Sequence, residues 1–192
     1  MQVELIQHTP NPLKLITDVA SICYGKEEAN YPERLLRHLN DLGHHSVFEH
    51  VYYTFKITGI STACLGQLTR HRHASFSVRS QRYCDESDAN IIIPKAVQEL
   101  GFNPEDAILD KVMEYYQRML DSGVKREDAR FILPRGITTD LYMSMNLREL
   151  IHIYRLRTAS AAQEEIRMLV LNMAMEVTYL YPELDILFKE EK

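Results

Sequence analysis

Val51-Tyr52-Tyr53-Thr54-Phe55-Lys56-Ile57-Thr58 alternates as a half-buried strand must. Val51, Tyr53, Phe55 and Ile57 face one way and Tyr52, Thr54, Lys56 and Thr58 the other, because successive side chains on an extended backbone leave opposite faces. Just beyond it, Ser61 is placed to cap a helix carrying Cys64, Leu65 and Leu68. Residues 2–7 read as an edge strand. Residues 137–145 read as a further strand, with Leu141, Met143 and Met145 on one face.

Helical periodicity fills much of the remainder. Asn11-Pro12 reads as the N-cap and first position of a helix with Leu13, Ile16, Ala20 and Cys23 on one face and Gly25 as its stop. A second helix runs from Pro32 to Gly43 with Leu35, Leu36, Leu39 and Leu42 apolar. Asn103-Pro104 opens a third, with Ile108, Val112, Tyr115 and Met119 inward and Gly123 at its end. Residues 146–157 and 160–180 are two more, the latter with a core stripe of Ile166, Leu169, Val170, Met173, Val177 and Leu180. Strands and helices mix without regular βαβ alternation, and no repeat or linker is visible. The expectation is one α+β domain over residues 1–192, a small, mostly antiparallel sheet packed by several helices.

Composition narrows the function. A net charge of −5 argues against general nucleic-acid binding, which shows as a basic domain. Cys23, Cys64 and Cys84 are odd in number, far apart and without a CxxC pair, so they read as reduced thiols and give no zinc framework. With no apolar run of membrane-spanning length and no signal-peptide pattern at the N-terminus, a cytoplasmic protein without a membrane partner is expected.

Against that acidic balance stands Arg70-His71-Arg72-His73-Ala74-Ser75-Phe76-Ser77-Val78-Arg79-Ser80-Gln81-Arg82, with four arginines, two histidines and no acid. Close-set cations repel unless an anion sits between them, and guanidinium forks match phosphate oxygens. Ser75, Ser77 and Ser80 add hydroxyl donors. The residues alone leave two readings open, an anionic-ligand site and a solvated basic patch.

The order Arg70-His71-Arg72, seven residues, Ser80 resembles the RHR(x)7S signature of the flavin-dependent thymidylate synthases. Three further stretches resemble that family in order: Gly43-His44-His45-Ser46-Val47-Phe48-Glu49-His50; Arg130-Phe131-Ile132-Leu133-Pro134; and Asn146-Leu147-Arg148-Glu149-Leu150 with His152 and Leu156-Arg157, followed by Ala162-Gln163 and Glu165-Ile166. The resemblance implies an FAD-dependent homotetramer with shared active sites. It would methylate dUMP to dTMP, with 5,10-methylenetetrahydrofolate as carbon donor and NADPH as the source of flavin electrons.

The same resemblance implies roles. Gln67 and Arg70 would bind dUMP, as would Ser80, Gln81 and Arg82 in the following loop, and Arg130. Arg70, His71 and Arg72 would approach the flavin, as would Ser46, Asn146, Arg148 and His152. The spacing of Gln67, Arg70 and His71 places them on one helix face. No Ser-His pairing is readable around Ser80, so it is read as a dUMP contact and not a nucleophile.

Arg157 has two readings. At about 100° per residue, it shares an arc with Asn146, Leu147, Leu150, Ile153 and Tyr154, while Arg148, His152 and Arg155 lie roughly opposite. A cation in an apolar stripe needs a partner. One reading is a structural ion pair with Glu164 or Glu165. The other, implied by the resemblance, is the catalytic one: Arg157 favours the ionised uracil ring nitrogen between the two carbonyls and so activates dUMP.

Some residues depart from the family pattern. Ser77 and Gln81 stand where some members have asparagine and glycine, Val78 replaces a frequent acid, and Ala161 replaces a frequent histidine near the flavin. Among rival readings, a metal-dependent hydrolase built on His44, His45, Glu49 and His50, or on His71 and His73, lacks HExxH spacing. A nucleotide-binding module using Phe76 and Tyr83 as stacking platforms would carry no flavin. No metal is expected.

Overall fold

The computed structural model describes residues 1–25, 32–102 and 107–189. Its elements are β1 (Gln2–His8), α1 (Pro12–Tyr24), α2 (Pro32–Asp41), β2 (Tyr52–Ser61), α3 (Thr62–Leu68), β3 (Ser75–Val78), α4 (Lys95–Gln98), α5 (Ala107–Asp121), α6 (Arg126–Ala129), β4 (Thr138–Asn146), α7 (Leu147–Thr158) and α8 (Glu164–Leu180). Tight 3-10 turns cover His45–His50, Arg130–Ile132 and Pro182–Phe188.

The strands form one sheet in the order β1-β2-β4-β3. Pairing of β2 with β4 runs from Leu147 N–H on Val51 O (2.7 Å), through the Thr54 and Ser144 hydroxyls (2.9 Å), to Thr62 N–H on Ile137 O (3.0 Å). One strand's numbers rise as the other's fall, so the pair is antiparallel. The expected α+β class with a small antiparallel sheet is therefore what forms. The alternation fixes the face: Tyr53, Phe55 and Ile57 on β2 and Leu141, Met143 and Met145 on β4 are buried.

The chain divides into two compact units, where the sequence showed no linker. The first comprises residues 1–2, 57–70 and 77–141, and its core includes Ile57, Ile60, Leu68, Tyr116 and Ile137. The second comprises residues 3–56, 71–76 and 142–192. Its core gathers Ile16 of α1, Leu36 and Leu39 of α2, Phe48, Leu150 and Ile153 of α7, and the α8 stripe. No helix among the described residues is long and apolar enough to cross a membrane.

Local signals hold with instructive exceptions. Ser61 Oγ accepts from Cys64 N–H at 3.0 Å, as the N-cap reading requires. Ser61→Ala is expected to cost about 1 kcal/mol. Urea denaturation at neutral pH measures this, and an unchanged midpoint would mean the cap contributes nothing. Asn11 does precede α1, but in the left-handed conformation (φ 47°) and without a side-chain cap bond. Asparagine tolerates that conformation, and Pro12 supplies the pre-set φ of the first turn.

The expected inward face of α5 is misplaced. Ile108 and Tyr115 are 69% and 52% exposed, while Tyr116 is fully buried and its hydroxyl accepts Glu86 N–H at 3.4 Å. One residue is about 100° on a helix, and the partner segment decides which of two adjacent tyrosines turns in. Leu180, expected in the α8 stripe, is 47% exposed, because the helix ends there and the chain turns into Pro182–Phe188. The Asn103-Pro104 helix start and the Cys23 side chain lie outside the described residues. The strand β3, inside the cationic segment, does alternate polar and apolar (Ser75, Phe76, Ser77, Val78), but over only four residues, a signal the charges around it overshadow.

Candidate active site

In the first unit, α3 stops at Leu68, with Thr69 as its C-cap, and Arg70 falls in the turn beyond. The expected common helix face of Gln67, Arg70 and His71 therefore does not form. Thr69 N–H and Oγ1 both bond the Leu65 carbonyl, at 2.9 and 3.0 Å, which closes the last turn. Arg70 is exposed and Gln67 half-buried.

Ser80, Gln81 and Arg130 come together. They line a cavity of about 430 Å³ together with Arg79 and Arg135, and no carboxylate is among its lining residues. Gln67, Arg70 and Arg82 are not among them. Arg82 is exposed, ion-paired to Glu127 at 2.5 Å and set over the Tyr83 ring at 5.5 Å. A pair so open to water holds weakly and yields readily to a better anion.

The arginines at this cavity differ electrically. Arg79 Nε donates to both oxygens of Glu86 at 3.2 and 3.3 Å, and Nη2 donates to Asp85 O at 3.0 Å. Glu86 is only 2% exposed, and its charge raises the Arg79 pKa above the ordinary guanidinium value. Arg79 is thus a structural cation. Arg130 is held by one bond, Nε to Glu127 O at 3.1 Å, and Arg135 by one long bond, Nη2 to Thr62 O at 3.4 Å. Among the described residues neither has a carboxylate within ion-pair distance.

In the second unit, Asn146 caps α7, its Oδ1 accepting Glu149 N–H at 2.9 Å. Leu147, Leu150 and Ile153 are buried while Arg148, His152 and Arg155 are exposed, as the wheel predicted. Arg148 is ion-paired to Glu49 and lines a cavity of about 310 Å³ with His44, His45 and Ser46. Arg72 is exposed. Two of the expected flavin residues, Ser46 and Arg148, therefore share one cavity.

His71 departs furthest from expectation, being 5% exposed. Its Nε2 accepts the Arg157 Nε–H at 3.0 Å. Nε2 thereby carries the lone pair, so the neutral ring has its proton on Nδ1, which looks toward the buried Glu149 carboxylate at 3.7 Å. The His152 ring stands edge-on, centroids 6.1 Å apart. Burial first, then the charges of Arg157 and His152, push the His71 pKa down to about 4. The imidazole is thus a neutral acceptor that orients the half-buried Arg157. Glu149 and Arg135 were not picked out from the sequence. A carboxylate at the third position of a capped helix reads as an ordinary capping residue, and Arg135 falls just past the quoted Arg130–Pro134 stretch.

The second unit thus holds a guanidinium oriented by a neutral imidazole, and the first an arginine-lined cavity. Comparison with known proteins shows the family. The family model described as thymidylate synthase complementing protein (Thy1) matches residues 4–183. This chain is a member of that family. It is 36% identical to the flavin-dependent thymidylate synthase of Geobacter sulfurreducens over 195 residues, covering 95% of this chain and 84% of that protein. The Pyrococcus furiosus flavin-dependent thymidylate synthase is also 36% identical, over 193 residues, covering 92% of this chain and 79% of that one. The crystal structure of thymidylate synthase X (ThyX) from Helicobacter pylori, with FAD and dUMP, shares the fold with a TM-score of 0.78 at 25% identity, covering 98% of this chain and 97% of that chain. The chain is thus an enzyme of the flavin-dependent thymidylate synthase family. No group of three or more His, Cys, Asp or Glu among the described residues is placed to hold a metal.

Proposed function

We propose that this flavin-dependent thymidylate synthase converts dUMP to dTMP, with 5,10-methylenetetrahydrofolate as carbon donor and NADPH as reductant of FAD. We place it in the cytoplasm as a homotetramer whose sites join several chains. The observation that carries the reading is the carboxylate-free, arginine-lined cavity at Ser80, Gln81 and Arg130. An anion entering it meets guanidinium and hydroxyl donors and no opposing charge. Gln67, Arg70 and Arg82 complete the nucleotide contacts in this reading.

The second-unit residues fit a flavin dinucleotide in kind. The cavity at Ser46 and Arg148 offers a hydroxyl, imidazoles and a guanidinium, and its size suits part of such a cofactor. Arg72, Asn146 and His152 supply further donors in this reading, while His71 acts through Arg157. When bound, the flavin supplies the hydride that completes the methyl group. Arg157 has the catalytic role. Its cation lowers the cost of removing the uracil ring proton, and His71 holds its plane so that little reorganisation is needed. No covalent enzyme nucleophile is required, and Ser80 binds.

The purified protein is expected to carry a flavin absorption spectrum, to lose its colour with NADPH, and to form dTMP only when dUMP and the folate are both present. Light scattering is expected to give a tetramer. A colourless monomer that takes up no FAD and makes no dTMP would defeat the proposal and favour a flavin-free nucleotide-binding module.

A further inference from the structure

Arg135 is placed by its own backbone. Its carbonyl accepts Thr62 Oγ1 at 2.9 Å and Ala63 N–H at 3.0 Å, which ties the residue to the first turn of α3. Its guanidinium then runs along α3 to Gly66, where an added Cβ would stand 2.9 Å from Nη2. Any other residue at position 66 would push that head group aside. Gly66, Arg135, Ser80, Gln81 and Arg130 all line the same cavity. A glycine inside a helix weakens it relative to alanine, and here it leaves the room that Arg135 occupies.

We propose that Arg135 contacts the phosphate of dUMP beside Arg130, and that Gly66 is the gap that lets it reach. This rests on reading the cavity as the nucleotide site. Of the arginines lining it, Arg79 is neutralised by buried Glu86. That leaves Arg130 and Arg135 as the cations without a carboxylate partner among the described residues. Each uses one N–H of five on backbone carbonyls, so each keeps donors to offer. Two guanidinium groups lining one cavity with Ser80 and Gln81 match a phosphate dianion, with the uridine free to extend toward other groups.

Two variants reach Arg135 by different routes. Arg135→Gln removes the charge. Gly66→Ala leaves Arg135 in place, displaces its flexible head group, and improves the helix propensity of α3, so its melting temperature should hold or rise. Both are expected to weaken dUMP binding in the flavin-loaded enzyme by about tenfold. The inhibition constant of 2′-deoxyuridine, which lacks the phosphate, should stay unchanged. Arg130→Gln serves as the reference. If Arg130→Gln weakens dUMP binding and Arg135→Gln does not, Arg135 is no phosphate ligand and the inference falls while the cavity reading stands. If neither changes it, the cavity is not the nucleotide site and both fall. Equal losses for dUMP and deoxyuridine would also overturn the phosphate contact.

Discussion

Arg157→Lys is expected to leave a folded, flavin-loaded tetramer that is still reduced by NADPH, yet binds dUMP much more weakly and transfers the methyl group slowly. Loss of the fork should lower kcat/KM by roughly a hundredfold, the scale of removing one well-placed donor at a developing anion. The structure supplies the reason that a like-charged substitute fails. Arg157 Nε–H is donated to His71 Nε2 at 3.0 Å, and that bond helps fix the plane of the guanidinium. A lysine ammonium has no planar fork and either satisfies His71 or meets the substrate. Thermal melting run beside dUMP titration decides the matter. A variant that melts early but binds dUMP normally would make Arg157 a structural residue.

The second large effect is an acid sensitivity seated in His71. Its pKa is pushed down to about 4 in the fold, from an ordinary value of 6.5. The groups facing it are Arg157, His152 and Glu149; the first two oppose its protonation and the carboxylate favours it. Well above pH 6.5 the ring is neutral in folded and unfolded chains alike and contributes no slope. Between there and about pH 4 the unfolded chain binds the proton and the folded chain does not, so stability falls as pH falls. This one residue accounts for about 2 kcal/mol by pH 5 and roughly 3 kcal/mol over the full window. His71→Gln keeps an acceptor for Arg157 and removes the titration. Denaturant midpoints measured from pH 7 to pH 5 should therefore fall less steeply in His71→Gln than in the parent, and parallel slopes would refute the assignment.

Legibility divided along the reach of the forces concerned. The buried faces of β2 and β4, the Ser61 cap, and the buried and exposed sides of α7 follow from the period of the backbone and from bonds made within three or four residues. They could be read from neighbouring letters alone. The order Arg70-His71-Arg72 and Ser80, with its accompanying stretches, likewise carried the family resemblance as local text.

Tertiary structure decided everything that turns on a distant partner. Tyr115 and Tyr116 are interchangeable in composition and propensity, and the Glu86 backbone selects Tyr116. The cationic segment shows four arginines of equal standing, yet a buried carboxylate neutralises Arg79, while Arg135, outside the segment, reaches the same cavity through a gap at Gly66. The wheel left Arg157 between a neighbouring acid and a substrate. The fold brought it His71 from 86 positions away, and with it a neutral ring and an oriented fork. A helical or strand period is dictated by covalent geometry and is therefore present in the sequence. The charge state and aim of a side chain depend on which groups share its low-dielectric surroundings, and only the folded chain brings those groups together.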